Sequence, residues 1–201
     1  MTRVGVISDT HGLLRPEALA FLRARDFIVH AGDIGGPEVL TELRRLAPLT
    51  AVRGNNDTVA WVRGIADTEV LKVDGISIYV LHNLQELDVD PVAAGYRVVV
   101  SGHSHRPSVH ERDGVLYVNP GSAGPRRFTL PVSVGELEIS GQSVKARIVE
   151  LEVTMASTKQ RTAARRNIKK AASAARGKRG ARRGRRPEAP GGSRPRRPCL
   201  G

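Results

Sequence analysis

The chain has 201 residues, with 32 Lys and Arg against 20 Asp and Glu, a formal net charge of +12. The excess is local: residues 154–201 hold 16 Lys and Arg and one acid, Glu188, a net +15, whereas residues 1–153 hold 16 basic and 19 acidic side chains, a net −3. The global charge therefore gives no ground for reading the front part as a basic enzyme for a nucleic-acid substrate, the single Cys199 excludes an intramolecular disulfide framework, and no apolar run approaches the length of a membrane-spanning helix.

In chain order, Val4-Gly5-Val6-Ile7 is a short apolar run opening into Ser8-Asp9-Thr10-His11-Gly12, which predicts a buried strand followed by a loop. Pro16 stands where a first helical residue would, and Ala18, Leu19 and Leu22 give an apolar face at helical spacing. Phe27-Ile28-Val29-His30 is the next strand, ending at Gly32-Asp33. Pro37 then starts a second helix with Val39, Leu40, Leu43 and Leu46 on one face, and Thr50-Ala51-Val52 forms a strand ending at Gly54-Asn55-Asn56-Asp57. Two such β-α units and a third strand imply a largely parallel sheet.

Further on, residues 70–73 and 76–81 flank Asp74-Gly75, a hairpin signal. A strand over 97–101 leads into Gly102-His103-Ser104-His105, and a second hairpin turns at Asp113-Gly114 and ends at Asn119-Pro120-Gly121-Ser122. Residues 132–139 and 144–151 complete an antiparallel pair around Ser140-Gly141. The pattern is α/β early and β-rich later, which fits two packed sheets with helices outside. After Val153 no apolar periodicity remains to build a core. Residues 158–176 read as a basic helix and 177–201 as disordered in isolation. The expected division is thus a folded domain at 1–153 and a Lys/Arg-rich tail at 154–201.

Nearly every unusual polar cluster directly follows an apolar strand, where open α/β sheets gather ligand-binding residues. Asp9 and His11 come first, then Asp33, Asn55, His82, and finally His103 and His105. Each piece alone has a structural explanation. Asp-x-His can cap a helix, Gly-Asp and Gly-Asn-Asn-Asp can form tight turns, and a lone histidine can sit in a core. Their conjunction, in order and each at a strand end, points to a functional metal-binding site. The mixed carboxylate, imidazole and amide donors, with no thiolate, suit Mn²⁺, Fe²⁺ or Zn²⁺.

The series Asp9-x-His11, Gly32-Asp33, Gly54-Asn55-x-Asp57, His82 and Gly102-His103-x-His105 resembles the calcineurin-like metallophosphoesterase superfamily. With the closing Asn119-Pro120-Gly121-Ser122 and a compact domain, it is most similar to the small bacterial and archaeal phosphodiesterase branch. The resemblance implies a four-layer αββα sandwich of two mixed β-sheets flanked by helices. It implies two divalent ions, one held by Asp9, His11, Asp33 and His105, the other by Asp33, Asn55, His82 and His103, with Asp33 shared. Mn²⁺ is the leading choice, with Fe²⁺, Ni²⁺ and Zn²⁺ as alternatives. The implied reaction is phosphodiester hydrolysis by a metal-bridging hydroxide, with Asp33, Asn55 and His82 at the catalytic centre. Asn56, Asp57 and Asn119 are expected to orient ligands or touch substrate.

Two departures from the superfamily pattern stand out. Many of its phosphatases carry a leaving-group-protonating histidine where this chain has Asn56, and a glycine where it has Asn83. The small phosphodiesterase branch often lacks that histidine too, so Asn56 shifts the expectation towards a diesterase. The rival readings are a scaffold on the same fold, like the retromer subunit that uses it for protein contacts, and a nucleic-acid-associated protein acting through the tail. Expected partners are a small phosphodiester substrate, non-specific nucleic acid on the tail and, by resemblance alone, a second copy in a homodimer. The expected location is the cytoplasm.

Overall fold

The computed structural model describes residues 1–153, and the expectations for 154–201, a basic helix and a disordered end, lie outside the described residues. Ten strands and two short helices alternate at first and then give way to strands alone. Strand β1 (Thr2–Ile7), helix α1 (Pro16–Leu22), β2 (Phe27–Ala31), α2 (Pro37–Arg44) and β3 (Leu49–Val52) form the β-α-β-α-β start. Both helices open on a proline at their first position, where the missing N–H costs no hydrogen bond. They then bury Ala18 and Leu22, and Val39, Leu40 and Leu43.

The first sheet has the order β10-β9-β1-β2-β3, with β9 (Ser133–Ser140) and β10 (Ser143–Glu150) antiparallel beside the parallel trio. The second has the order β4-β5-β6-β8-β7, built from β4 (Thr68–Val73), β5 (Ile76–Leu81), β6 (Val98–Val100), β7 (Ser108–Arg112) and β8 (Val115–Asn119). Here β5, β6 and β8 are parallel, and β4 and β7 close the edges antiparallel. Asp74-Gly75 and Asp113-Gly114 sit at positive φ (49° and 80°, 52° and 74°), the geometry that two-residue hairpins require.

Alternation along the strands sorts side chains into three apolar layers. Val4, Val6 and Val29 meet Ile78, Val80, Val98 and Val118 between the sheets. Ile7, Ile28 and Val134 pack outward against α1 and α2. Tyr79, Leu81, Val99 and Tyr117 face outward from the second sheet. The architecture is an α/β sandwich of two mixed five-stranded sheets. Its outermost layer on the second sheet differs from the first: Leu87, Val89 and Tyr96 cover that face, carried by an irregular segment that contains only the 3-10 turn Leu84–Glu86.

A buried glutamate ties the first sheet to its flank. Glu136 on β9 is fully buried and takes an ion pair from Arg25 Nε at 2.7 Å and a further one from Arg147. Arg25 in turn lies over the Phe21 ring, 3.9 Å from its centroid. Burial lowers the Arg25 pKa while Glu136 opposes that change. Two guanidinium partners are what make a charge at this depth tolerable.

Candidate metal centre

The C-terminal ends of β1, β2, β3, β5 and β6 converge, and the loops that follow them carry the seven residues singled out above. Backbone bonds lace these loops together. Asp9, His11 and Gly12 N–H donate to the carbonyls of Gly32, Asp33 and Ile34 at 3.0, 2.9 and 2.8 Å, and Gly102 N–H donates to His82 O at 2.9 Å. Asp9, His11, Asp33, His103 and His105 all have φ between 47° and 65°, a left-handed conformation that costs a non-glycine residue about 1–2 kcal/mol. Strain gathered on candidate ligands is the pattern expected where side-chain placement outweighs local stability.

Glycines bring the loops close. A Cβ on Gly102 would meet Ser8 Oγ at 2.0 Å and Asp9 Oδ2 at 2.8 Å, and one on Gly54 would meet Asp33 Oδ1 at 2.2 Å. A Cβ on Gly32 would strike the His82 ring at 2.6 Å. Each glycine of Gly32-Asp33, Gly54-Asn55 and Gly102-His103 is therefore a spacing requirement for a ligand on a neighbouring loop.

Two groups of donor atoms result, each with its atoms within 4.8 Å of one another: Asp9, His11 and His105, and Asp9, Asp33 and His82. His105 Nε2 lies 3.4 Å from Asp9 Oδ1, His11 Nε2 lies 3.7 Å from Asp33 Oδ2, and His82 Nε2 lies 3.5 Å from Asp33 Oδ1. Asp33 thus faces histidines from both sides, one to each oxygen. Asn55 Oδ1 stands 3.2 Å from His82 Nε2 and 3.0 Å from His103 Nδ1. All seven residues come together in one place.

The chemistry of the donors fits divalent cations. His82 Nδ1 lies 2.7 Å from the Ala31 carbonyl, so Nδ1 carries the proton and the Nε2 lone pair is directed at Asp33 and Asn55. Two acceptors, Asn55 Oδ1 and His82 Nε2, then face each other, an arrangement that a shared cation reconciles. Asp9 is fully buried, yet neither carboxylate oxygen has a hydrogen-bond partner, and His105 Nδ1 is a buried orphan as well. Burial pushes the Asp9 carboxyl up to about 6; the Ser8 hydroxyl and His82 oppose that, but the Ser8 proton is aimed at Ala31 O. A buried carboxylate without a partner is costly unless a cation completes it. Burial, and next the Arg127 charge, pull His105 down to about 4, which keeps its ring neutral as a ligand must be.

The three auxiliary residues have distinct contacts. Asn56 donates twice to Asp33, from Nδ2 to Oδ2 at 2.6 Å and from its backbone N–H to Oδ1 at 2.9 Å. Burial raises the Asp33 carboxyl, but those two bonds together with His82 and His11 outweigh it and hold Asp33 below the ordinary range. Asp57 accepts from the backbone N–H groups of Ile34, Gly35 and Gly54 at 3.0, 2.9 and 2.9 Å, tying the β2 and β3 loops together. Asn119 donates to Gly102 O at 2.6 Å and Ser104 Oγ at 3.1 Å and accepts from Gly121 N–H at 2.9 Å, which fixes the loop bearing His103 and His105. Asn83 neither crowds the centre nor replaces a ligand: its Oδ1 accepts from Gln85 N–H at 3.1 Å and caps the following turn.

Two further residues belong to this region. His30 is fully buried; its Nδ1 accepts from Gly32 N–H at 3.2 Å, so Nε2–H donates to Thr10 Oγ1 at 2.9 Å, which passes its own proton to Ile34 O. Its only trace in the sequence is a polar residue closing an apolar strand. Arg127 reaches to 3.4 Å from His11 Nε2, on a loop held where Arg15 Nε donates to Gly124 O at 3.0 Å. No local pattern marks Arg127.

Residues 2–142 match the model of the calcineurin-like phosphoesterase superfamily domain. The chain belongs to that superfamily. A probable metallophosphoesterase of Methanothermobacter thermautotrophicus is 35% identical over 159 residues, 73% of this chain and 91% of that protein. Among solved structures, a novel archaeal phosphodiesterase is 25% identical with a TM-score of 0.61, covering 74% of this chain and all of that one. Entamoeba histolytica Vps29 complexed with Zn²⁺ is likewise 25% identical, with a TM-score of 0.58 over 74% of this chain and 99% of that one. The phosphoesterase domain resembles small relatives along almost their whole length. No helix among the described residues is long and apolar enough to cross a membrane.

Proposed function

We propose that the phosphoesterase domain is a divalent-metal-dependent phosphodiesterase. The observation that carries this reading is Asp9: a fully buried carboxylate, unpartnered at both oxygens, at the meeting point of His11, His105, Asp33 and His82. Asp9, His11, Asp33 and His105 would hold one ion, and Asp33, Asn55, His82 and His103 the second. Bound there, two divalent cations supply Lewis acidity towards the phosphoryl oxygens and activation of water near neutral pH.

The chain's own residues prepare the rest. Asp33 presents one oxygen to each half of the centre, held by the two Asn56 bonds. The His82 Nδ1 bond to Ala31 O fixes the ring and its tautomer. Arg127, beside His11, offers a cation to the anionic diester. Asn56 spends its amide on Asp33 and, being an amide, donates no proton to a leaving group at neutral pH. That favours diesters with good leaving groups, in keeping with the archaeal phosphodiesterase relative.

The test is hydrolysis of aryl phosphodiesters, phosphomonoesters and cyclic nucleotides after reconstitution with Mn²⁺, Fe²⁺, Ni²⁺ or Zn²⁺, with Asp33→Ala as control. Metal-dependent turnover fastest on the aryl diester, abolished in the control, is the expected result. Equal activity in Asp33→Ala would sink the mechanism. Metal binding without turnover on any ester would instead favour the scaffold reading.

A further inference from the structure

Beside the Asn55 and His82 half of the centre lies a cavity of about 510 Å³, within the range that holds small ligands. Asn55 and His82 line it, and His82 Nε2 lies 3.5 Å from Asp33 Oδ1, so the cavity adjoins the centre. Val62 and Leu81 give it an apolar portion, and both are buried. Its charge is unusual for a site that handles a phosphate ester. The one guanidinium among its lining residues, Arg53, is consumed by Asp67 through two hydrogen bonds of 2.5 and 2.8 Å. Asp57 turns both oxygens inward to backbone N–H groups. Glu86 and Asp88 remain, and among the described residues neither pairs with a cation; Glu86 accepts only from Asn83 Nδ2 at 3.1 Å.

Outside the cavity the centre has a cation: Arg127 stands next to His11, and neither residue lines the cavity. A diester at the centre therefore meets a cation beside His11 and two unpaired carboxylates in the cavity. An arm carrying a second phosphate or a carboxylate is repelled from the cavity, whereas a cationic arm with methylene or methyl groups satisfies both its charge and its apolar wall.

We propose that this cavity receives one ester arm of the substrate and that Glu86 and Asp88 make it specific for an alcohol of the cationic amino-alcohol class, with neutral alcohols second and anionic ones excluded. The proposal rests on the phosphodiesterase reading above. It goes beyond that reading by naming the substrate class and the residues that choose it.

The experiment uses the full chain reconstituted with Mn²⁺ and three p-nitrophenyl diesters that differ only in the second alcohol: choline, methanol and a carboxylate-bearing alcohol. The expected order of kcat/KM is choline, then methyl, then carboxylate, with about tenfold between the extremes at low salt. The double variant Glu86→Gln, Asp88→Asn should reduce that ratio to about twofold, and salt should narrow it in the parent chain. Calorimetric binding of phosphocholine against 2-phosphoglycolate, whose arm carries a carboxylate and no amine, gives the same comparison without turnover. A choline-to-carboxylate ratio near one in the parent, or a ratio unchanged in the double variant, overturns the proposal. Bis(p-nitrophenyl) phosphate reports on the underlying reading separately: if it too is inert, the phosphodiesterase reading fails, and the calorimetric comparison still decides the cavity's preference.

Discussion

Asn56 grips Asp33 at both carboxylate oxygens, from the side-chain amide at 2.6 Å and from the backbone N–H at 2.9 Å. Asn56 thus works as a clamp on a carboxylate that faces His11 with one oxygen and His82 with the other. Removing the side-chain half with Asn56→Ala leaves Asp33 free to rotate and should weaken metal binding about 10- to 100-fold, as loss of an orienting partner does. Calorimetric titration with Mn²⁺ checks this. Asn56→His should retain the backbone bond and speed hydrolysis of alkyl diesters relative to aryl ones; an unchanged leaving-group dependence would remove proton donation as the meaning of this position.

Asp9 sets function against stability. With both oxygens buried and unpartnered, its ionisation disfavours the metal-free fold. Asp9→Asn should therefore raise the stability of the metal-free protein at pH 7.5 by about 1–3 kcal/mol while abolishing metal binding. Thermal melts with and without Mn²⁺ separate the two effects. A variant that melts lower than the parent under chelator would show that the carboxylate has a partner in the fold itself.

Gly102 should be intolerant for a related reason. A methyl group there collides with Ser8 Oγ at 2.0 Å and Asp9 Oδ2 at 2.8 Å, on the two loops that define the first half of the centre. Gly102→Ala is expected to cost about 1–3 kcal/mol by overpacking and to lower metal affinity in parallel. Gly95→Ala meets nothing within 4 Å and carries only the backbone strain of its positive φ (72°), which Gly102 does not share, so it separates strain from overpacking. Chemical denaturation of the two variants should rank them in that order.

His30 makes the fold sensitive to acid. Burial, opposed by Asp57, depresses its pKa from 6.5 to about 4. Because the folded value lies below the unfolded one, the unfolded chain binds the extra proton first. The stabilisation is present in full above about pH 6.5 and is lost as pH falls towards 4, a change of about 3 kcal/mol. His30→Gln should flatten that window in urea titrations at pH 4.5 and 7, at some cost in overall stability from the broken Thr10 bond.

The tail is predicted to be separable. Deleting residues 155–201 removes 16 Lys and Arg. Hydrolysis should persist, whereas retention on nucleic acid, steeply weakened by salt in the full chain, should disappear. Loss of hydrolysis would move the domain boundary beyond Val153.

The strands, the two proline-initiated helices and the hairpins at Asp74-Gly75 and Asp113-Gly114 were legible in the sequence, because their signals are local: an apolar run, a fixed φ, a turn dipeptide. The candidate ligands Asp9, His11, Asp33, Asn55, His82, His103 and His105 were picked out for the same reason, each following an apolar strand, and the structure brings them together. Less regular is the outer cover of the second sheet. Leu87, Val89 and Tyr96 have no helical spacing to announce them, and their role depends on the sheet beneath.

What only the tertiary structure decided is which atoms meet. Asn55 and His103, 48 residues apart, come within 3.0 Å because two separately built sheets pack face to face and bring their strand ends together. The same packing turns Asn56 onto Asp33, leaves Asp9 buried without a partner and places the Glu86 and Asp88 cavity beside Asn55 and His82. Sequence by itself determined the kind of donors and the strand ends that carry them, since these are properties of short segments. The gathering of those donors into two groups that share Asp9, with Asp33 between His11 and His82, follows from long-range packing that no short segment encodes.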